Sequence, residues 1–254
     1  MSLDEKVRKE VNNALDKAEA IWDEVGHHFE KSLEGLDEVV AFSGSKPVET
    51  KIPGFAFIEE GKPQVAQFVA QVLDIRGSTK HLIQRIGPPA KASQLQRVLF
   101  ETTAINTAGA VIIEHYNGGI TEYLGDGYLA LFKQEENEPG QDVYNAYNSA
   151  NYYMYNGLSI INNILSSRYV LPSIEMGIGM AYSKAIVTLI GRGKNLHPKA
   201  IGECVYRASK IADGINEIKI DERLNLYWPK SDDGKISFFN LGSSRYKFKA
   251  YKIK

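Results

Sequence analysis

The chain has 254 residues, of which 43% are hydrophobic and 24% charged, with a formal net charge of -1 at pH 7. This length supports one large domain with a substantial core, and the near-neutral charge excludes a general attraction to nucleic acid or anionic membranes. No apolar run reaches the roughly 20 residues of a membrane-spanning helix. A single cysteine, Cys204, excludes an internal disulfide. We therefore expect a cytoplasmic protein whose anionic ligands are held by local groups.

Residues 1–43 predict an N-terminal helical arm. Apolar residues recur at helical spacing from Leu3 to about Leu36, with charged residues between them, as on an amphipathic helix. This stripe can pack on the body of its own chain or on a second subunit, and a break near Gly26 would give two helices. Proline and glycine in residues 44–64 predict a connector, and residues 65–254 predict the main domain.

The main domain alternates strand and helix patterns in an order typical of an α+β sheet with helices on one side. Predicted strands cover residues 67–74, 110–115, 120–124, 128–132, 173–182 and 185–190, and predicted helices cover residues 79–86, 91–108, 142–167 and 203–213. A final hairpin is predicted to turn at residues 232–234.

Two carboxylates stand where apolar strands end. Asp74 closes the run 68–73, and Asp126 lies at the tip of a hairpin between Gly125 and Gly127. If these strands are neighbours, both acids meet at one end of the sheet, where hard cations such as magnesium or manganese take oxygen ligands. Such a pair suits two-metal phosphoryl transfer. Taken alone, each acid also fits a turn or helix-capping role.

A short loop joins Asp74 to the next helix. Ile75, Arg76, Gly77, Ser78 and Thr79 bring a glycine and two hydroxyls to the start of that helix, where backbone N–H groups and the helix dipole favour an anion. The loop therefore predicts a phosphate cradle beside the metals, although either hydroxyl can also serve as an ordinary helix cap.

These motifs occur in a recognisable order. Segments 73–79, 122–127, 177–191 and 202–210 together resemble the class III nucleotidyl cyclase domain over about residues 65–216. The resemblance implies a ferredoxin-like, palm-type α+β fold with a central, mostly antiparallel sheet. It also implies a head-to-tail homodimer with two active sites at the interface.

The resemblance further implies residue roles. Asp74, Asp126 and the carbonyl of Ile75 would hold two divalent ions, Mn²⁺ or Mg²⁺, and residues 76–79 would bind the phosphates of a nucleoside triphosphate. One ion would lower the pKa of the ribose 3′-hydroxyl, which attacks the α-phosphorus, and the other would neutralise the departing pyrophosphate.

Two positions that read the base in this family hold Glu122 and Lys199. Glutamate only accepts hydrogen bonds and lysine only donates them, so together they favour a base with adjacent N–H and C=O groups. Guanine and uracil present this edge, whereas adenine and cytosine do not. The alternative is a solvated pair of strand residues.

The last motif departs from the family pattern. Tyr206 stands where the family has a ribose-orienting asparagine, with Arg207 beside it, and Lys210 replaces the transition-state arginine. Lysine supplies charge without the bidentate fork of arginine, so Arg207 and Arg192 are further candidates for this role, and an impaired enzyme is the other alternative. A bulky Tyr206 would narrow the pocket and suit uracil.

This combination resembles the bacterial pyrimidine cyclases of the Pycsar anti-phage systems, which make cyclic UMP or cyclic CMP. The sequence therefore predicts a uridylate cyclase in defence signalling. Three alternatives stay open: a guanylate or adenylate cyclase, a non-enzymatic nucleotide-binding homologue, and another palm-type phosphoryl transferase such as a diguanylate cyclase.

Overall fold

The computed structural model describes residues 1–29, 47–83, 90–230 and 234–254. Helix α1 spans Leu3–Phe29 and continues through Gly26. Its apolar stripe packs into the main core of its own chain, with Val7, Val11 and Leu15 fully buried. The intramolecular alternative is therefore correct for this stripe, while the predicted helix beyond residue 29 lies outside the described residues.

The first half of the chain forms the centre of the sheet. Strands β1 (Val48–Glu49) and β2 (Phe57–Ile58) pair with each other in the connector, and the central strand β3 covers Gln64–Ile75. Helix α2 (Ser78–Ile83) is followed by α3 (Gln94–His115), which begins with a capping box formed by Ser93 and Gln96. Strands β4 (Gly119–Tyr123) and β5 (Gly127–Lys133) form a hairpin.

The second half adds helices and the far side of the sheet. A π-helical turn, Tyr153–Gly157, joins α4 (Gln141–Tyr152) to α5 (Leu158–Tyr169). The remaining elements are β6 (Met176–Ile190), β7 (His197–Gly202), α6 (Glu203–Ile211), β8 (Glu217–Asp221), α7 (Glu222–Tyr227), β9 (Phe238–Gly242) and β10 (Ala250–Ile253). None of the helices in the described ranges is long and apolar enough to span a membrane.

Eight of the described strands form one sheet. The strand order is β4-β5-β3-β6-β8-β10-β9, and β7 pairs with the distal end of β6. All neighbours in these ranges are antiparallel except β6 and β8. The predicted α+β class with a mostly antiparallel sheet is confirmed.

The central strand β3 is buried on both faces. Val69 and Leu73 point into a core with α1, α3, α4 and α5, whereas Phe68, Ala70 and Val72 point into a second core. That second core contains apolar residues of the connector and of α6: Ile52, Phe55, Ile58, Cys204 and Ala208. The prediction of helices on one side only is wrong, because an apolar strand buried on both faces needs cover on both.

Two predicted boundaries also differ. The predicted strand 110–115 is the end of α3, since a short apolar run fits a buried helix as well as a strand. The two predicted strands 173–182 and 185–190 are one strand, β6, in which Ser183 and Lys184 pair with β3. Of the predicted turn at residues 232–234, the first two lie outside the described residues. The division at residues 43 and 64 stays a prediction.

Candidate active site

The two acids lie at the same end of the sheet because β3 and β5 are adjacent. In their register Asp74 stands opposite Gly127, the residue after Asp126. The backbone N–H of Ile75 donates to the carbonyl oxygen of Asp126 at 3.2 Å. The strand pairing alone therefore sets both acids and the following loop against one another.

Two glycines flank Asp74 on its neighbouring strands, and both are required by close backbone approach. A Cβ on Gly127 would lie 1.9 Å from the carbonyl oxygen of Leu73, and one on Gly177 would lie 2.3 Å from that of Ala212. Sequence reasoning identified Gly127 only as a turn residue. Its second role depends on the strand register, which only the sheet reveals.

Each acid has a partner from the loop after β3. The Arg76 guanidinium forms an ion pair with Asp74, and the Ser78 hydroxyl donates to Asp126. Burial lowers the pKa of Arg76, while the charges of Asp213 and Asp126 oppose this shift. Asp213, just beyond α6, had no signal in the sequence because its proximity to Arg76 arises from packing.

The loop itself is anchored at both ends. The N–H of Arg76 donates to the carbonyl of Glu175 at 2.8 Å, and the Gly77 carbonyl accepts from Lys80 and His81 at 2.8 and 3.1 Å. Gly77 has a φ of 70°, a left-handed conformation that glycine adopts without strain. Thr79 is exposed at the start of α2.

Glu122 and Lys199 come together from distant strands. The lysine amine on β7 lies 2.6 Å from a carboxylate oxygen of Glu122 on β4, and both side chains remain partly exposed. They line a cavity of about 800 Å³, together with connector residues that include Thr50 and Lys51. The two predicted base-reading residues thus share one cavity with a segment outside the predicted main domain.

Arg207 on α6 is held inside the fold. Its guanidinium lies 3.1–3.3 Å from carboxylates of Glu203, Asp221 and Glu222 and stacks on the ring of Phe248. Burial disfavours its charge, but the hydrogen bond to Glu222 and the three carboxylates raise the pKa of Arg207 overall. The Arg207 guanidinium is therefore already engaged in ion pairs within its own chain.

Tyr206 and Lys210 occupy the exposed side of α6. The Tyr206 side chain is 60% exposed, and the Lys210 amine lies 5.6 Å from the centre of its ring. Residues four apart on a helix share one face, so this tyrosine and lysine project together. Both side chains are exposed and face outward from the chain.

The acids fit a divalent metal bound jointly with substrate. Asp74, Asp126 and a backbone carbonyl are hard oxygen donors, the type that magnesium and manganese prefer. Within the described ranges, no group of three or more His, Cys, Asp or Glu side chains could hold a metal ion. Magnesium often takes only one or two carboxylates and completes its shell with phosphate oxygens and water.

Neither protein-family models nor curated protein sequences match the chain, but solved structures do. The adenylyl cyclase CyaB from P. aeruginosa superposes with a TM-score of 0.62 at 17% identity, over 76% of this chain and 96% of that one. This chain has the class III cyclase fold. The non-canonical dimeric guanylyl cyclase domain of the RhoGC fusion protein from Blastocladiella emersonii superposes with a TM-score of 0.54 at 16% identity, over 76% of this chain and 96% of that one.

A third solved structure with this fold is described as a class III adenylyl cyclase-like ATP-binding protein from Pseudomonas aeruginosa. It has a TM-score of 0.59 at 17% identity, over 68% of this chain and 37% of that one. The class III fold is thus found in chains described as adenylyl cyclases, guanylyl cyclases and ATP-binding proteins.

Proposed function

We propose that this chain is a metal-dependent nucleotidyl cyclase, which converts a nucleoside triphosphate into a 3′,5′-cyclic monophosphate and pyrophosphate. One observation carries the proposal: the β3–β5 register places Asp74 and Asp126 at one sheet edge, beside a glycine-containing loop. Solved structures with this fold include adenylyl and guanylyl cyclases.

The two acids and the carbonyl of Ile75 would hold two Mg²⁺ or Mn²⁺ ions. Such ions, when bound, lower the pKa of the ribose 3′-hydroxyl and neutralise the pyrophosphate that leaves. Arg76 and Ser78 hold the two carboxylates in place before the metal arrives, which limits the repulsion between like charges. Residues 76–79 then bind the phosphates.

We assign stabilisation of the negative charge in the transition state to Lys210 rather than to Arg207. Arg207 already forms ion pairs with three carboxylates of its own chain, whereas Lys210 projects into solvent beside Tyr206. An outward-facing pair can serve the site of a second copy, as expected for a head-to-tail homodimer. The guanylyl cyclase domain of RhoGC, which shares this fold, is described as a non-canonical dimer, so it supports dimerisation but not this particular arrangement.

UTP is the favoured substrate. The paired Glu122 and Lys199 offer one acceptor and one donor side by side, which matches the adjacent C=O and N–H of uracil or guanine. The bulk of Tyr206 favours the smaller of these two bases. A cyclic UMP signal would suit an anti-phage defence role, and guanylate or adenylate cyclase activity is the alternative.

A nucleotide-binding protein without turnover is the competing function, since a cyclase-like ATP-binding protein has this fold. An assay of the full chain with Mn²⁺ and each of the four ribonucleoside triphosphates separates the two. We expect pyrophosphate and a cyclic monophosphate, identified by mass, with UTP giving the most product. Binding without cyclic product from any nucleotide would establish the competing function.

Exchanging the base-reading pair tests the substrate assignment. In the double variant Glu122→Lys, Lys199→Glu the ion pair can form again, but donor and acceptor are reversed. We expect the ratio of kcat/KM for UTP to that for ATP or CTP to fall by about 10-fold or more, since a mismatched hydrogen-bonding pair costs about 1–3 kcal/mol. An unchanged ratio would place base recognition elsewhere.

A further inference from the structure

A buried ion cluster joins α2 to α3 next to the loop that follows Asp74. Glu101 on α3 is only 2% exposed, and each of its carboxylate oxygens has a different partner. One oxygen accepts from Nε of Arg97, one turn earlier on α3, at 2.7 Å. The other lies 2.7 Å from Nδ1 of His81 on α2.

The two hydrogen bonds to Glu101 have different structural roles. A buried carboxylate without a partner costs several kcal/mol, and Arg97, which is 8% exposed and on the same helix, supplies the neutralising charge. The bond to His81 instead connects two separate helices. It therefore fixes the position of α2 relative to α3.

The position of α2 also determines that of the loop that follows Asp74. The backbone N–H of His81 donates to the carbonyl of Gly77, and the Ser78 hydroxyl, in the same helical turn, donates to Asp126. The reference helix α3 is itself firmly held, because Phe100 stacks on Tyr169 with ring centres 4.3 Å apart. The His81 ring thus ties Gly77 and Ser78 to a rigid element.

We propose that Glu101, acting through His81, is a positioning residue that holds residues 76–78 in the geometry that binds a triphosphate chain. The inference rests on the proposed function, which assigns the phosphates to this loop. The ligand class is a polyphosphate anion, independent of the base. Removing the His81 ring should therefore raise the Kd for polyphosphate, with a smaller effect on the stability of the fold.

The test compares His81→Ala with His81→Asn in the full chain. The asparagine side chain carries an N–H donor close to the position of Nδ1, so it can restore the bond to Glu101. Thr102→Ala, a half-buried α3 side chain next to Glu101 that lines a surface groove, is the matched control. Binding of inorganic triphosphate with Mg²⁺ is measured by calorimetry, and Tm by thermal unfolding.

We expect His81→Ala to raise the Kd of triphosphate about tenfold, because misplacing a binding group by about 1 Å carries penalties up to about 100-fold. His81→Asn should restore most of the affinity, and Thr102→Ala should leave it unchanged. Equal affinities in all four proteins, with only Tm lowered in His81→Ala, would overturn the proposal and leave a structural role.

Catalysis provides a separate readout. With the preferred nucleotide, His81→Ala should raise KM more than it lowers kcat. If the wild-type chain binds triphosphate but forms no cyclic product, the proposed function fails while the calorimetric comparison still decides the role of His81. Glu101→Ala, which removes the hydrogen-bond partner of His81, should reproduce the affinity loss; if this variant does not fold, the two His81 variants decide alone.

Discussion

The end of the sheet that carries the two acids differs from helix α6 in how the fold positions charged side chains. At the edge, strand register alone brings Asp74 and Asp126 together within one chain. On α6, two cations three positions apart have different surroundings: Arg207 is enclosed by three carboxylates, and Lys210 faces solvent. The comparison shows that a cation on α6 has a structural role where carboxylates of its own chain enclose it. A cation that faces solvent remains available to a ligand.

The largest expected effect is at the acid edge. Asp74→Asn or Asp126→Asn should lower turnover by at least about 100-fold, since a bound ion supplies several kcal/mol of charge stabilisation. Tm should change little because both side chains are partly exposed at the end of a paired strand. Glu136→Gln, an exposed acid beyond β5, is the control. Full turnover in either variant would remove that acid from the metal role.

The next effect separates the two cations of α6. Arg207→Met should lower the free energy of unfolding by about 3–5 kcal/mol, because the buried carboxylate of Asp221 loses the cation that pairs with it and keeps only backbone N–H donors. Lys210→Met should keep that stability and lower kcat by about 10- to 100-fold through loss of a positive charge at the phosphates. Denaturant unfolding and steady-state kinetics measure both. The opposite pattern would exchange the roles assigned here.

The smallest effect concerns Asp213, which links the two regions. Burial raises its pKa, but hydrogen bonds from Lys219 and Tyr246 and the charges of Lys219 and Arg245 hold it below the ordinary 3.8. A carboxyl whose pKa is lowered in the folded state adds stability at neutral pH, and this stability is lost as pH falls through the ordinary 3.8 and then through the lowered folded value. We therefore expect Asp213→Asn to reduce the loss of stability at acid pH. The measurement is Tm as a function of pH. An equally steep acid loss would assign it to other carboxyls such as Glu217, whose pKa is also lowered.

Much of the fold was predictable from local patterns. The helical stripe of α1, the β4–β5 hairpin and the apolar strand before Asp74 were all predicted from local patterns and match their structures. The errors came from apolar runs without a distinguishing period. Residues 110–113 fit a strand or a buried helix equally well, and only packing against the sheet selects the helix.

The candidate site divides in the same way. Asp74, Asp126 and the loop between β3 and α2 could be identified in the sequence because together they resemble the motifs of class III cyclases, although each alone also fits an ordinary turn or helix cap. Asp213, Glu101 and His81 do not stand out, because their partners are distant in sequence. Side chains that act through long-range contacts leave no periodic signal.

By itself, the sequence determined the α1 helix, the β4–β5 hairpin, the two acids and the residue types available to read a base, since these depend on neighbours along the chain. Only the tertiary structure decided that Gly127 and Gly177 must lack side chains beside Asp74, that Glu122 meets Lys199, and that Arg207 is enclosed. Those outcomes depend on strand register and on which face of α6 is buried. Both are set by packing between segments far apart in the chain.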